Sequence, residues 1–390
     1  MRLRYFTILL LLSSLAFADI VEDVRAALVQ RNFAAADSAL QTYRAQHGAD
    51  PEYLEALSWT AREELAANQL DKADAAAKET ETLAQKLLQK RSLDAEPHLP
   101  VALGAALEVQ AQVLAAHGQN AQAAALLRHA LVSYGNTSIS PRLHKNLNQL
   151  TLTSQPAPAL STSEYLGSRP TPLSQLKGSP ILLFFWAHWC VDCKYEGPII
   201  TRLSSEFAPK GLTVLAPTQL YGYAARGEDA KPKDEIAYIG QVWEHFYPGL
   251  QSVPVPISKT NFTNYGASTT PTLVLVDRKG RVALYHPGLM QYDDLRAAIE
   301  KTLSNWRSEA AKTCRGSFCS PDETSGVSFV NETRTRCRSP RLHLRDETGL
   351  PDSGCDRHKF QPARVGRIFV SSAFACQTKV RSGCSRLSWV

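Results

Sequence analysis

Trp186-Ala187-His188-Trp189-Cys190-Val191-Asp192-Cys193-Lys194 is the stretch on which the reading of this 390-residue chain turns. It overlaps a continuous apolar run, Ile181 to Trp186, rich in aromatics and suited to a strand buried on both faces. Val191 to Phe207 then reads as a helix, interrupted near Pro198. The two cysteines therefore sit where a strand gives way to a helix, three positions apart. That spacing lets the sulfurs close a disulfide across one helical turn. The first turn of a helix also offers unpaired N–H groups and a partial positive charge. Such surroundings stabilise a thiolate on the first cysteine. Cys190 is the expected nucleophile. Cys193, deeper in the helix, is expected to resolve the mixed disulfide.

A CxxC pair is also half of a zinc site. A structural zinc needs four ligands, usually a second pair at matched spacing. The sequence has no second CxxC. Redox exchange without a metal or cofactor is the favoured reading, with zinc or a purely structural disulfide as its alternatives.

Outward from the motif, residues 163 to about 310 alternate between strand and helix patterns. Thr213 to Ala216 reads as a strand, Asp234 to Phe246 as a helix, and Val253 to Ile257 as extended. Thr272 to Val276 and Val282 to Tyr285 read as two strands, joined by a tight turn at Arg278-Lys279-Gly280. Tyr292 to Trp306 closes as a helix. That order predicts an α/β fold, a central mixed sheet with helices on both faces.

This part of the chain resembles the thioredoxin superfamily, and within it the TlpA/ResA-type (redoxin) thiol–disulfide oxidoreductases of the periplasm. The resemblance rests on Phe185-Trp186-Ala187, Trp189-Cys190, Cys193-Lys194, Glu196 and Pro198. Thr270-Pro271-Thr272 is similar to the superfamily's cis-proline loop, and Leu173, Leu176, Lys177 and Gly178 to the entry to its first core strand. It covers residues 163 to 308. The resemblance implies that Pro271 is cis, that Thr270 and Pro271 lie against the active-site disulfide, and that Trp189 shields the disulfide and meets a bound peptide. It also implies a proton acceptor for Cys193 at Glu196, against a solvated helix-face carboxylate as the alternative. The acidic core-strand residue of thioredoxin itself is replaced by Phe184. A peroxiredoxin-type peroxidatic loop is absent from the sequence.

Flanking residues carry further expectations. His188 reads as a polar rim that modulates the thiolate at most. Tyr221 to Lys233 reads as a polar surface insertion that shapes partner choice, and Tyr265, Trp243 and Phe246 as core. Asp192 places a carboxylate in the first helical turn, where it competes with the Cys190 thiolate for the same positive potential; Lys194 partly offsets it.

Residues 1–18 read as a signal peptide: Arg2 and Arg4, an apolar run from Tyr5 to Leu15, then Ala16-Phe17-Ala18. The run is shorter than the roughly 20 residues a spanning helix needs, and no later segment reads as membrane-spanning. Export to the periplasm or another extracytoplasmic space follows. Residues 19–152 are alanine-rich, with apolar stripes at helical spacing, such as Ile20, Val24, Leu28 and Ala36, Leu40, Tyr43. Pro51 to Gln85 resembles a tetratricopeptide repeat, with Trp59, Ala66, Leu70, Ala73 and Ala77 in its packing positions. Such hairpins stack and offer a groove to a partner; a purely structural helical domain is the alternative. Residues 153–162 read as a linker, and 163–311 as the thioredoxin-like domain.

With 44% hydrophobic residues the chain has ample core. Its formal net charge of +6 is uneven: residues 312–390 carry 14 Lys plus Arg against 7 Asp plus Glu, which leaves −1 for the first 311. The folded part therefore gives no argument for nucleic acid binding. The tail 312–390 holds six of the eight cysteines. It reads as a disulfide-stapled module, a basic disordered tail, or the product of a shifted reading frame.

Together these readings predict an exported thiol–disulfide oxidoreductase, most simply a reductant. Its partners would be protein disulfides and an electron-donating membrane or periplasmic thiol protein, with a further partner on the helical domain. The alternative is a helical-repeat scaffold with a non-catalytic domain. Asp192 places the couple nearer the reducing end of the range, about −270 mV, than the oxidising end, about −120 mV. Asp192→Ala is expected to raise the reduction potential in thiol buffers of known poise; an unchanged or lower value counts against the electrostatic account.

Overall fold

The alanine-rich half folds as its stripes require. In the computed structural model, which describes residues 19–316 with side chains through 304, seven helices fill this half. They are α1 (Ile20–Val29), α2 (Phe33–His47), α3 (Pro51–Ala66), α4 (Leu70–Leu88), α5 (His98–Ala116), α6 (Asn120–Tyr134) and α7 (Ser140–Thr151). Three starts are capped by side chains: Asp19 accepts from Val21 N at 3.0 Å, Asn32 from Ala35 N at 3.1 Å and Asp50 from Tyr53 N at 2.9 Å. Pro51 at the first helical position needs no such acceptor. Successive helices pack on one another, and α3 packs on both α1 and α5. Ala61, Ala73, Ala77, Ala84, Ala102 and Ala106 are fully buried, so the small side chains let backbones approach closely. The proposed leader and the tail from residue 317, with five of the six tail cysteines, lie outside the described residues; Lys312 to Gly316, read as the start of the tail and including Cys314, are helical.

One expectation needs correcting. α5 is long and apolar enough to cross a membrane by length and composition. Eleven of its residues are buried among the other helices, which accounts for its apolar surface as that of a central core helix.

The second half is built on two sheets. Strands β1 (Tyr165–Leu166) and β4 (Val255–Pro256) pair antiparallel. The main sheet has the order β3-β2-β5-β6, from β2 (Ile181–Phe185), β3 (Thr213–Leu215), β5 (Thr272–Val276) and β6 (Val282–Pro287). β2 runs parallel to β3 and antiparallel to β5, with Phe185 opposite Thr272. Helices α8 (Val191–Phe207), α9 (Pro232–Phe246), α10 (Lys259–Tyr265) and α11 (Tyr292–Gly316) complete it. The expected mixed sheet with helices on both faces is therefore present. Leu182 and Phe184 pack with Ile200 and Leu203 of α8, Trp243 of α9 and Leu295 of α11. Ile181, Leu183 and Phe185 point the other way, to Phe262 and Tyr265 of α10. Each such buried side chain contributes about 1.5–3 kcal/mol.

Two local expectations differ in detail. α8 continues through Pro198 instead of breaking there. Buried residues on both sides of it, among them Glu196, Gly197, Ile200 and Leu203, anchor the helix and offset the lost hydrogen bond. The segment read as a linker is tied down: Ser154 N donates to Val282 O at 2.7 Å, Val282 N to Gln155 O at 2.9 Å, and Ala157 N to Gly280 O at 2.9 Å.

The helical half meets the sheet half through α7 and α10. Asn148 Nδ2 donates to the Asn264 carbonyl at 3.4 Å. Gly266 ends α10 with a left-handed φ of +60°, and a Cβ there would collide with the Lys145 backbone N. Gly266→Ala is expected to destabilise the protein by about 2–4 kcal/mol in urea unfolding, from strained φ and overpacking together. An effect within experimental error would mean that α7 and α10 separate freely.

Candidate functional site

The site begins where β2 ends. The chain leaves the sheet at Phe185, passes Trp186 and Ala187, and enters α8 at Cys190, which is the N-cap residue. Trp186 is locked by its indole N–H, which donates to the Ala216 carbonyl at 3.0 Å, while its own carbonyl accepts from Thr218 Oγ1 at 2.9 Å. Cys190 and Cys193 are joined in a disulfide with Cα atoms 5.3 Å apart. The Cys190 sulfur accepts the backbone N–H of Cys193 at 3.0 Å. A sulfur thus occupies the place a Ser or Asp oxygen takes at an ordinary helix start. In the dithiol form the same N–H and the positive helix end favour the thiolate of Cys190.

The Thr270–Pro271 peptide bond is cis. The Thr270 carbonyl oxygen stands 3.4 Å from the Cys190 sulfur, and Thr270 Oγ1 is buried without a hydrogen-bond partner. The fold therefore brings Cys190, Cys193, Thr270 and Pro271 together, as expected. Trp189, beside them, keeps 38% of its surface exposed, with its ring edge-on to Tyr221 at 5.6 Å. Val191, Tyr195 and Phe246 are also exposed. Asp192 sits half-buried in the first turn of α8. Lys194 turns sideways, its Nζ 4.2 Å from the centre of the Phe246 ring, and partial burial lowers its pKa. Phe246, expected in the core, is instead the platform for this lysine.

Glu196 follows Cys193 by one helical turn, and both are fully buried. Oε2 accepts the Met290 N–H at 3.1 Å, while buried Oε1 has no hydrogen-bond partner. Burial raises its pKa to about 7, against a smaller opposing effect of the Met290 bond. A carboxyl with that pKa exchanges a proton near neutrality.

His188 is not the polar rim its sequence position led us to expect. It is 1% exposed, and its Nε2 lies 3.4 Å from Oε1 of an equally buried Glu235. Burial lowers its pKa, outweighing the pull of Glu235. Nor is the segment after Gln219 only a polar surface: Tyr221 and Tyr223 pack edge-on against His188. Glu235 is the residue that sequence reasoning missed. In Pro232-Lys233-Asp234-Glu235 it looks like one more acidic residue in a first helical turn, and no local spacing marks it as buried.

Residues 173–303 match the family model of a thioredoxin-like domain. Among curated relatives, the thioredoxin-like protein YneN of Bacillus subtilis (strain 168) is 27% identical over 147 residues, which is 37% of this chain and 78% of that protein. The thiol–disulfide oxidoreductase ResA of Bacillus thuringiensis (strain Al Hakam) is 29% identical over 138 residues, 35% of this chain and 70% of that protein. The thiol:disulfide interchange protein DsbE of Xylella fastidiosa (strain Temecula1 / ATCC 700964) is 30% identical over 117 residues, 30% of this chain. The chain spans about half, 51%, of the length of that DsbE. With a disulfide capping α8 against a cis-proline loop, and these relatives matching the same region, the chain carries a thioredoxin-like domain similar to those of thiol–disulfide oxidoreductases.

Proposed function

We propose that this protein is an exported reductant of protein disulfides. The observation that carries the reading is the Cys190 sulfur: it caps α8, lies 3.4 Å from the Thr270 carbonyl, and is flanked by a half-open indole. In the reduced protein the Cys190 thiolate attacks one sulfur of a substrate disulfide. A Cys190–substrate S–S bond forms and the first substrate thiolate leaves. Cys193 gives up its proton, for which Glu196 is the buried acceptor one turn away. The Cys193 thiolate then attacks the Cys190 sulfur, expelling the second substrate thiolate. The two electrons come from the dithiol, which becomes the Cys190–Cys193 disulfide. A membrane or periplasmic thiol protein must supply two electrons to restore it.

Trp189, Thr270 and Pro271 form the rim that receives the substrate. Exposed Val191, Tyr195 and Phe246 add an apolar surface suited to unfolded or flexible polypeptide. Asp192 and Lys194 tune the potential. The names of the ResA and DsbE relatives, together with the leader-like residues 1–18, support an extracytoplasmic setting. We assign 19–152 to a helical domain, whose stacked hairpins support a tetratricopeptide-like partner surface, and 163–311 to the redox domain. The same hairpins are what favours the scaffold alternative, in which the disulfide is inert.

Insulin reduction separates the two: Cys190→Ser is expected to drop it to the uncatalysed rate, and Cys193→Ser to trap a mixed disulfide with the substrate. A scaffold would show no activity to lose. Glu196→Gln is expected to slow resolution about a hundredfold, the lower end of what a positioned acid–base supplies. It should also remove an inflection near pH 7 from the rate profile. The raised pKa has a stability counterpart. Protonated Glu196 suits its buried site, so its stabilising contribution is full below the ordinary carboxyl value of 4.5 and is lost as pH rises through about 7. Denaturant titrations across that window are therefore expected to show wild type falling relative to Glu196→Gln; parallel curves would mean that the carboxyl is solvated.

A further inference from the structure

His188 and Glu235 are both 1% exposed, and the exchange reaction gives neither a task. A buried carboxylate is unfavourable unless its oxygens are used, whereas His188 Nε2 has no hydrogen-bond partner and the ring is held by packing. Glu235 uses both oxygens on one turn of chain: Oε1 accepts the Tyr221 N–H and Oε2 the Gly222 N–H at 2.9 Å. Gly222 has a φ of +86°, a conformation that suits glycine and aims its N–H inward. The His188 ring is enclosed edge-on by Tyr221, Tyr223 and Tyr238, at centroid distances of 5.5, 5.2 and 5.4 Å. Tyr221 then passes the constraint on, standing edge-on to Trp189. A continuous set of contacts thus runs from Glu235 to the indole beside Cys190. Burial lowers the His188 pKa, which favours the uncharged ring that a packing element presents.

We propose that His188 and Glu235 are a positioning pair that fixes the Tyr221–Gly222 turn and, through Tyr221, the Trp189 indole, and so sets the affinity of the site for polypeptide disulfides flanked by apolar residues. This rests on the exchange reaction proposed above. A small disulfide needs only access to the Cys190 sulfur. A polypeptide also needs the indole at the rim, with Val191 and Tyr195 beyond it. The pair therefore acts on one substrate class and not on the other.

The test compares insulin with oxidised glutathione as substrates of the full chain. Glu235→Ala is expected to raise KM for insulin about tenfold through misplacement of the rim. kcat and the rate with oxidised glutathione should stay within about twofold. The Trp189 part of the fluorescence, taken as the difference from Trp189→Phe, should shift to longer wavelength as the indole loses its neighbour. Glu235→Gln, which keeps one acceptor oxygen, should fall between. If Glu235→Ala does not fold, Tyr221→Leu leaves the backbone N–H groups in place and must give the same split. Equal losses with both substrates, or no change in a folded variant, overturn the proposal while leaving the exchange reaction standing. A wild type that reduces neither substrate overturns the exchange reaction and this inference with it.

Discussion

The Cys193 N–H directed at the Cys190 sulfur, 3.0 Å away, is the contact on which the site depends. It exists only because α8 starts at Cys190, and α8 starts there because β2 ends five residues earlier against a filled sheet. The pairing of Phe185 with Thr272 fixes the second half of the geometry. Five residues beyond Phe185 lies Cys190, and two before Thr272 lies Thr270. A slip of one residue in that register would exchange the two faces of β2. Phe184 would then leave the α8 side for the α10 side, and the proline loop would no longer face the sulfur. Core packing and redox geometry are therefore set by the same ladder.

Much of this was legible in the sequence because it is local. The apolar run at 181–186, the two cysteines at a helix start, and Thr-Pro-Thr ahead of a second apolar run each carry their meaning in adjacent residues. The strand order and the cis peptide at Thr270–Pro271 agree with that reading. What stayed hidden is non-local. His188 looks polar and exposed until Tyr221, Tyr223 and Tyr238 are folded over it from a loop and a helix more than 30 residues away. Phe246 and Trp243 lie three apart on α9, yet Trp243 packs tilted against Trp186 in the core while Phe246 stays 41% exposed. Helical spacing alone gives no preference between the two. Pro198 was misjudged for the same reason: propensity marks it as a breaker, and tertiary burial on either side overrides it.

The helical half shows how far composition reaches. Alanine at stripe positions indicates close packing, and the buried alanines of α3, α4 and α5 meet that indication. Composition does not say which partner the far faces of these helices would meet. The junction with the sheet half is a matter of few atoms. Gly266 is positioned so tightly against the Lys145 backbone that α7 and α10 hold a defined relation, and within the sheet half Tyr285 fixes the end of α10 by donating its hydroxyl to the Tyr265 carbonyl at 2.8 Å.

Two buried glutamates near the disulfide illustrate how one residue type takes opposite tasks from its surroundings. Glu235 accepts a backbone N–H on each oxygen and so holds the Tyr221–Gly222 turn, with the His188 ring beside it. Glu196 has one N–H on one oxygen and nothing on the other, and burial brings its pKa to about 7. A carboxyl poised there can take and return a proton at little cost. In the exchange proposed above such a group has a use, because Cys193 is itself buried and must lose its proton where water is excluded. Phe184 leaves no acid on the core strand, and Glu196 reaches the same interior from the helix. Moving the acid from strand to helix places it beside the Met290 N–H, so the loop ahead of α11 becomes part of what sets its pKa.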